Sequence, residues 1–260
     1  MADTSKKVGL SLGGGAARGI AHIGVIKALS DYNIPIHCIA GTSAGSMVGG
    51  LYAAGLSPDY LIEHIQKLRW TDFASFHFSR RGMFSSTPIE HLVQKHAGTL
   101  TLKDLAIPFA ALATNILTGE AEVLDHPDME LSQVIKASAS FPGIYDPAEV
   151  MGKFYCDGGA GANVPSYVVR QMGADVVIAV DVIPHMVLDK LPRHVAALVD
   201  RGLDLLLHHV SKATYSQADL ILEPVNEYLN SFHFRKGPKL VEMGMTAVHK
   251  NIEAIRALVA

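Results

Sequence analysis

Residues 8–19 read Val-Gly-Leu-Ser-Leu-Gly-Gly-Gly-Ala-Ala-Arg-Gly, and residues 39–45 read Ile-Ala-Gly-Thr-Ser-Ala-Gly. Each stretch begins with a short apolar run that stops at glycine. Apolar residues then recur at helical spacing, over Ala17–Ser30 after the first run and over Ala44–Ala54 after the second. A short buried run followed by a helix, twice in succession, predicts a βαβ unit with its next helix, and therefore a parallel sheet.

The same alternation continues to the end of the chain, and no Gly-, Ser- or Pro-rich linker interrupts it. Residues 175–182, Asp-Val-Val-Ile-Ala-Val-Asp-Val, form the most β-branched stretch and predict a fully buried parallel strand. We expect residues 1–7 to form a short N-terminal tail and residues 8–260 to form one α/β domain. The predicted strands are Val8–Leu12, Ile34–Ala40, Phe109–Asn115, Ala121–Leu124, Phe154–Cys156, Ala174–Val182 and Leu220–Glu223.

The composition excludes several classes of protein. The 260 residues are 49% hydrophobic and 18% charged, which excludes disorder for most of the chain. A net charge of −3 argues against a nucleic-acid binder, because such proteins usually carry a basic face. Two cysteines cannot build a disulfide framework, so we expect a reducing, cytoplasmic location. No apolar run is long enough to span a bilayer, and peripheral contact with the inner face of the membrane stays open.

Ser43 is the first candidate for chemistry. It is the serine of a G-x-S-x-G motif, Gly41 to Gly45, at the end of a predicted strand and the start of a helix. This is the setting of a nucleophile elbow, in which glycines permit a strained turn that exposes the hydroxyl. The helix N-terminus favours a developing negative charge. The alternative is an ordinary strand-to-helix turn.

The glycines at 13–15 end the preceding strand, so adjacent parallel strands would bring them beside Ser43. Glycines let backbone N–H groups converge on one oxygen, as an oxyanion hole requires. A dinucleotide-binding fingerprint is disfavoured because its last glycine would stand at Arg18. A phosphate-binding P-loop is disfavoured because Gly-Lys-Ser/Thr is absent.

Asp157 is the third candidate, because it precedes Gly158 and Gly159 at the end of a predicted strand. An aspartate in this position can approach a serine closely, although an ordinary turn aspartate has the same pattern. None of the 13 histidines has a comparable setting, and only one βαβ unit precedes Ser43, which argues against an α/β-hydrolase triad. No H-E-x-x-H motif or Cys/His cluster is present, so we expect no metal and no cofactor.

Taken together, these motifs resemble the patatin-like phospholipases, specifically their compact bacterial single-domain type. The resemblance covers nearly the whole chain. It implies a three-layer fold with a mostly parallel central sheet and helices on both faces. It also implies a Ser–Asp dyad, with Ser43 as nucleophile and Asp157 as base, that cleaves fatty-acyl esters of phospholipids or lysophospholipids. The alternative function is a lipid-binding or regulatory protein of the same fold with little turnover. Neither the head group nor the oligomeric state follows from the sequence.

The proposed oxyanion hole uses backbone N–H groups of the glycine loop. The donors would be Gly14, Gly15 and Ala16, together with Ala44 after the serine. The family usually has a third glycine where this chain has Ala16, and a backbone N–H survives that change. Arg18 matches the family's basic residue, and it would either hold the loop or meet a lipid phosphate. The other motif positions are Gly41, Gly45, Gly158 and Gly159.

The segment Arg69–Ser86 is predicted to be a loop and is unusually aromatic. Arg80 and Arg81 lie among its aromatic residues. The segment would act as an acyl-chain lid or a membrane flap, or its aromatics would fix a long loop to the core. A smaller copy of the pattern at 232–236 is expected to be core packing. The candidate lipid contacts are Trp70, Phe73, Phe76, Phe78 and Phe84.

Overall fold

The structure is a computed structural model that describes residues 6–65, 67, 70–73, 75–76, 82–183, 187–188, 190–231 and 234–260, without the side chains of Trp70 and Phe76. The strands are β1 (Val8–Leu12), β2 (Cys38–Thr42), β3 (Ser75–Phe76), β4 (Gly82–Ser85), β5 (Phe109–Asn115), β6 (Ala121–Leu124), β7 (Gly143–Tyr145), β8 (Ala148–Val150), β9 (Lys153–Asp157), β10 (Val176–Val180) and β11 (Leu220–Leu222). The α-helices are α1 (Ala21–Asp31), α2 (Ala44–Ala53), α3 (Pro58–Ile65), α4 (Thr87–Ala97), α5 (Leu131–Ala139), α6 (Ser166–Gln171), α7 (Val195–Ala213) and α8 (Gly237–Val259).

A central sheet organises the described part of the chain. Its order is β11-β10-β1-β2-β5-β9-β8, and β6 also pairs with β5. The strands from β11 to β5 are parallel, whereas β6, β8 and β9 are antiparallel to their neighbours. The prediction of an α/β fold with a mostly parallel central sheet is therefore confirmed.

Two apolar clusters cover the two faces of this sheet, as side-chain alternation along a strand requires. The larger cluster joins Leu10 and Ile39 to helices α1, α2, α5 and α8. The smaller cluster joins Cys38 and Ala40 to helix α6. Helices therefore flank the sheet on both sides. None of the helices in the described ranges has the length and apolar character needed to cross a bilayer.

The register of the central strands brings three loops to one edge of the sheet. Leu12 lies opposite Gly41, so the glycine loop after β1 begins beside the turn after β2. Asp157 at the end of β9 lies opposite Ala113 of β5. The β5 residue before Ala113 lies opposite Thr42, the last residue of β2. Strand β5 therefore aligns the end of β9 with the end of β2.

Two predicted boundaries near the start of the chain were wrong. The strand predicted over Ile34–Ala40 runs instead from Cys38 to Thr42, because Asn33 takes a left-handed conformation with φ of 56° and a connecting segment follows it. Ile34 is buried although it lies outside the strand. Its apolar character is therefore explained by burial and not by strand formation. The helix predicted from Ala17 begins with a 3₁₀ turn, Ala16–Ile20, before α1.

The segment predicted as a loop, Arg69–Ser86, contains the short strands β3 and β4. These strands form a second, three-stranded sheet with β7. Strands β7 and β8 were not predicted either. All of these strands have four residues or fewer, which is too short for the alternation of apolar residues to be read.

Helices α1 and α8 pack closely enough that their backbones touch at two glycines. A Cβ added at Gly24 would lie 1.9 Å from the Val241 carbonyl oxygen, and one at Gly244 would lie 2.0 Å from that of Ala21. Any side chain at these positions would force the two helices apart.

We therefore expect Gly24→Ala to destabilise the protein by about 1–3 kcal/mol, because overpacking against backbone cannot be relieved by a rotamer change. Urea unfolding measures the effect. Gly202→Ala in α7 is the matched control: its Cβ meets nothing within 4 Å, and helix propensity favours alanine by about 1 kcal/mol. An unchanged unfolding midpoint for Gly24→Ala would contradict the proposed backbone contact.

Candidate active site

Ser43 occupies a strained turn between β2 and α2. Its φ and ψ are 52° and −121°, a conformation that a residue with a side chain rarely adopts. Its N–H donates to Ser138 Oγ at 2.8 Å, and that hydroxyl donates in turn to the Leu112 carbonyl oxygen at 2.7 Å. The helix α2 begins at the next residue. The turn therefore presents a serine at a helix N-terminus, as the elbow motif predicted.

The two glycines of the motif permit this turn through close approach. A Cβ at Gly41 would lie 2.6 Å from the backbone of Gly45, and one at Gly45 would lie 2.2 Å from the Leu12 carbonyl oxygen. Contacts between backbone atoms at these distances cannot be relieved by moving a side chain. Gly41 and Gly45 are therefore explained by the geometry of the elbow.

Asp157 ends β9 and caps the 3₁₀ turn that follows it. Its Oδ1 accepts a hydrogen bond from the Gly159 N–H at 2.8 Å, and its own N–H donates to the Ser140 carbonyl oxygen at 2.9 Å. A Cβ at Gly158 would lie 2.2 Å from the Leu112 carbonyl oxygen, which explains the first glycine of the pair. These contacts fix the carboxylate at the edge of the sheet where Ser43 lies.

Burial dominates the electrostatics of Asp157. It raises the pKa of the carboxyl to about 6, and hydrogen bonding to the Ser43 side chain and to the Gly159 N–H opposes the rise. The residue is 4% exposed. A carboxylate with a pKa near 6 is a better base than an ordinary aspartate and is still ionised at neutral pH.

The glycine loop lies against Ser43. A Cβ at Gly14 would lie 3.1 Å from Ser43 Cβ, which places the loop beside the serine. The Gly14 N–H donates to Asn163 Oδ1 at 3.1 Å, so an oxyanion would compete with that acceptor. Ala16 and Ala44 each begin a helical segment, and the first N–H of a helix has no intrahelical acceptor. These two groups, with Gly15 between Gly14 and Ala16, are the remaining candidate donors.

Arg18 is buried and holds the loop to the rest of the protein. Its guanidinium forms a bidentate ion pair with Asp204 at 2.6 and 2.9 Å, and both side chains are 1% exposed. It also donates to Ser231 Oγ and to the carbonyl oxygens of Gly15 and Leu229. Of the two roles left open by the sequence, the geometry favours holding the loop, because the guanidinium is turned into the protein.

Three residues that support the site were not singled out from the sequence. Ser138 fixes the Ser43 backbone, as described above. Asn163 accepts from the Gly14 N–H and donates to Ser211 Oγ at 2.9 Å. His22 Nε2 lies 2.7 Å from the Gly13 carbonyl oxygen, and burial lowers its pKa to about 4, so the ring is neutral and donates. Each acts on backbone atoms of a motif, and no local pattern reveals such a contact.

Ser43 and Asp157 both line an apolar cavity of about 210 Å³. Tyr60, His64 and His96 also line it and contact one another, with the Tyr60 hydroxyl 2.9 Å from His96 Nδ1. Within the described residues, no group of three or more His, Cys, Asp or Glu is placed to hold a metal ion. Apolar side chains of the lining include Ile23, Met47, Leu51, Leu92, Leu203 and Leu207.

The aromatic residues of Arg69–Ser86 do not form one exposed patch in the described part of the segment. Phe73 is 9% exposed, lines the cavity and stacks on Phe234 with ring centroids 4.9 Å apart. Phe84 is half-buried and packs against the main core. The predictions for the side chains of Trp70 and Phe76, and for Phe78, Arg80, Arg81 and Phe232, lie outside the described residues.

Comparisons with known proteins give consistent results. The sequence profile of the Patatin-like phospholipase family matches residues 10–169. An uncharacterized NTE family protein of Mycobacterium tuberculosis is 35% identical over 184 residues, which cover 68% of this chain and 49% of that protein. Lysophospholipase NTE1 of Eremothecium gossypii is 33% identical over 195 residues, covering 69% of this chain and 12% of that protein. The chain thus spans half or less of the length of these relatives.

Two solved structures share the fold at low sequence identity. VipD from Legionella pneumophila superposes with a TM-score of 0.57 at 14% identity, covering 96% of this chain and 67% of that chain. Human GIVD cytosolic phospholipase A2, in complex with a methyl γ-linolenyl fluorophosphonate inhibitor, superposes with a TM-score of 0.55 at 12% identity, covering 98% and 59%. These likenesses concern the fold alone.

The raised pKa of Asp157 predicts a stability effect with a definite sign. A carboxyl whose pKa is higher in the folded state favours folding when protonated and opposes folding when ionised. We expect Asp157→Asn to be more stable than wild type at about pH 8, by up to roughly 3 kcal/mol for a shift from 3.8 to about 6. The difference should shrink as the pH falls through 6 and vanish near 4, as measured by urea unfolding at several pH values.

Asp104→Asn provides a control of opposite sign. Hydrogen bonds from Thr101 lower the pKa of this exposed aspartate, so its ionised form supports folding. Removing it should destabilise the protein at neutral pH. If Asp157→Asn also lost stability at about pH 8, the proposed cost of burying the Asp157 carboxylate would be refuted.

Proposed function

The chain belongs to the patatin-like phospholipase family, and from this premise we propose that it is a serine acyl hydrolase. Its substrates would be the fatty-acyl esters of phospholipids or lysophospholipids, and residues 8–260 would form one catalytic domain in the cytoplasm. The observation that supports the proposal is that Ser43, in its strained turn, and the buried Asp157 carboxylate line the same apolar cavity.

In the first half of the reaction, Ser43 Oγ attacks the ester carbonyl carbon while Asp157 takes the hydroxyl proton. The tetrahedral intermediate collapses by breaking the bond to the alcohol oxygen. Asp157 returns the proton to that oxygen, and the alcohol part of the lipid leaves. The acyl group stays on Ser43 as an ester.

In the second half, water attacks the acyl-enzyme with Asp157 again as base. The bond to Ser43 Oγ breaks, the proton passes to that oxygen, and a fatty acid is released. One carboxylate thus serves both steps. In each step it accepts a proton from the attacking group and then donates that proton to the leaving group. A pKa near 6 suits both roles, since the group gains and loses a proton close to neutral pH.

The negative oxygen of each intermediate would be held by backbone N–H groups. Gly15, Ala16 and Ala44 supply the candidate donors, and the N-terminus of α2 adds a favourable field. Donors fixed in backbone need no reorganisation when charge develops, provided that the loop is rigid. Arg18 and Asn163 supply that rigidity through the contacts described above.

The lining of the cavity supports a fatty-acyl chain as the group held beside Ser43. Leucine, isoleucine, methionine and phenylalanine account for 14 of the 32 residues that line it. An acyl chain that leaves water for such a wall gains roughly 0.8 kcal/mol for each buried CH₂ group. The aromatic segment enters this proposal through Phe73, as a wall of the acyl site.

A fluorophosphonate probe, which reacts with activated serines, tests the nucleophile directly. We expect wild type to be labelled, with labelling abolished in Ser43→Ala and reduced at least about 100-fold in rate in Asp157→Asn, the loss typical for removing a general base. In-gel fluorescence of the 260-residue protein measures the labelling. Ser11→Ala is the control, because that buried hydroxyl in β1 has no hydrogen-bond partner and its loss should leave labelling unchanged.

Two outcomes would refute this assignment. Labelling that persists in Ser43→Ala would place the reactive serine elsewhere. Absence of labelling in wild type, with and without detergent micelles, would favour a lipid-binding or regulatory protein with little turnover.

The pH dependence of hydrolysis tests the base. Asp157 must be ionised to accept the proton, so kcat/KM for a soluble short-chain p-nitrophenyl ester should fall as the pH drops through about 6. We expect about a tenth of the plateau value at about pH 5, one unit below the pKa. Circular dichroism at each pH checks that the protein is folded. A flat profile between about pH 5 and 8 would exclude Asp157 as the base.

A further inference from the structure

Helix α7 has its polar side turned inward and its apolar side turned to solvent, the reverse of an ordinary surface helix. Its buried residues are Asp200, Asp204, His208 and Ser211. Its exposed apolar residues, which we call the α7 face, are Val195 (78% exposed), Leu198 (57%), Val199 (56%), Leu205 (44%) and Leu206 (64%).

The inward side of α7 is fixed by specific contacts. Asp204 pairs with Arg18, the Asp200 carboxylate accepts from the Tyr228 hydroxyl at 3.2 Å, and Ser211 Oγ accepts from Asn163. Turning the helix over would bury the apolar side chains but would separate a buried ion pair, which is strongly unfavourable. The exposure of the α7 face is therefore built into the fold.

The α7 face has the form of an interfacial helix. Its members fall at 195, 198 and 199 and again seven residues later at 205 and 206, so they lie on one side of the helix with Gly202 between the two groups. Leu191, just before the helix, is 89% exposed and lengthens the stripe. Contiguous exposed apolar surface of this kind marks an interaction site more often than a tolerated defect.

The charges around the stripe favour an anionic partner. Over residues 190–213, all of which the structure describes, the exposed charged side chains are Lys190, Arg193 and Lys212. The two acidic residues of that range, Asp200 and Asp204, are buried. Over these residues the four basic side chains outnumber the two acidic ones, whereas the whole chain carries a net charge of −3. An apolar stripe bordered by lysine and arginine matches the interface of a bilayer that contains anionic lipid.

The same helix forms part of the wall of the catalytic cavity. Leu203 and Leu207 line the cavity together with Ser43 and Asp157. The Leu207 side chain also lies close to Gly159, since a Cβ on that glycine would be 3.1 Å from Leu207 Cδ2. A surface bound to the α7 face would thus lie one helix thickness from the reacting atoms.

We propose that the α7 face docks on the surface of an anionic lipid bilayer and holds the cavity at the membrane. This proposal rests on the proposed function for its purpose, since a lipid hydrolase needs access to lipid. It assigns membrane contact to α7 and not to the aromatic segment Arg69–Ser86. A second copy of the chain is the rival occupant of the same face.

Vesicle sedimentation tests the proposal with the 260-residue protein. Wild type should bind vesicles of phosphatidylcholine with phosphatidylglycerol several-fold more tightly than vesicles of phosphatidylcholine alone. Leu198→Gln combined with Leu206→Gln should weaken binding to the mixed vesicles at least about tenfold, because two leucines leave the apolar interface. Val195→Gln combined with Val199→Gln should also weaken binding to the mixed vesicles. Agreement between the two double variants shows that the loss does not come from misfolding of one of them.

Leu117→Gln is the matched control, because Leu117 is 80% exposed and lies between β5 and β6. It should bind vesicles as wild type does. An equal loss in Leu117→Gln and in the α7 variants would mean that exposed apolar surface binds without selectivity, and would overturn the assignment to α7. Vesicle binding as tight as that of wild type in both α7 variants would also overturn the assignment to α7. Light scattering that shows a dimer of wild type, dissociated by the α7 variants, together with no vesicle binding, would identify a second copy as the occupant.

Hydrolysis of a soluble short-chain ester separates this proposal from the proposed function. The α7 variants should hydrolyse it at the wild-type rate, because the substitutions lie on the solvent side of the helix, and should lose hydrolysis of vesicle lipid. Soluble ester hydrolysis by wild type without vesicle binding would overturn the docking proposal and leave the enzyme assignment intact. Vesicle binding that depends on α7, without ester hydrolysis, would support docking and refute the enzyme assignment.

Discussion

The turn at Ser43 is the constraint on which the rest of the site depends. A serine with φ of 52° is unfavourable by about 1–3 kcal/mol in isolation, so the surrounding structure has to enforce it. Enforcement comes from backbone packing: Gly45 lies against the Leu12 carbonyl oxygen, and the Ser43 N–H is held by Ser138. The elbow is therefore a product of tertiary contacts between β1, β2 and α5. This explains why the glycines that flank the serine tolerate no side chain.

The second requirement is that the nucleophile, the base and the oxyanion donors lie close together. The register of the strands satisfies this requirement. Strand β5 pairs with β2 on one side and with β9 on the other, so Asp157 lies one β5 residue beyond the position level with Thr42, the residue before Ser43. Because β9 runs antiparallel to β5, the chain reaches Asp157 in the direction opposite to that in which β2 reaches Ser43. The central sheet thus changes from parallel to antiparallel where the two groups meet. A wholly parallel sheet would have needed another connection to bring Asp157 to this edge.

The sequence predicted those parts of the structure that local physics determines. The glycine-bounded runs and the helical spacing predicted the α/β fold. The motifs singled out Ser43 and Asp157, which line one cavity although β9 runs antiparallel to β5. The failures share a cause. Ile34, which is buried, and Ile36, which packs half-buried against the core, suggested a strand because contact with the core and strand formation leave the same apolar signal. His22, Ser138 and Asn163 act on distant backbone atoms, and the use of the Gly14 N–H by Asn163 spans 149 positions. Periodicity also shows that α7 is amphipathic without showing which side faces the protein.

The orientation of α7 follows from Arg18, and this ties the outer surface to the catalytic loop. The loop between β1 and α1 has few side chains of its own, so a group that anchors it has to reach into the protein. A buried guanidinium requires a carboxylate, and Asp204 supplies it from α7. Once Asp204 faces inward, residues 198, 199, 205 and 206 face outward by helical geometry. Their apolar character is then a separate property of the sequence, since polar residues there would satisfy the fold equally well. The ion pair accounts for the direction in which these side chains point, and the proposed docking on a bilayer would account for their chemistry.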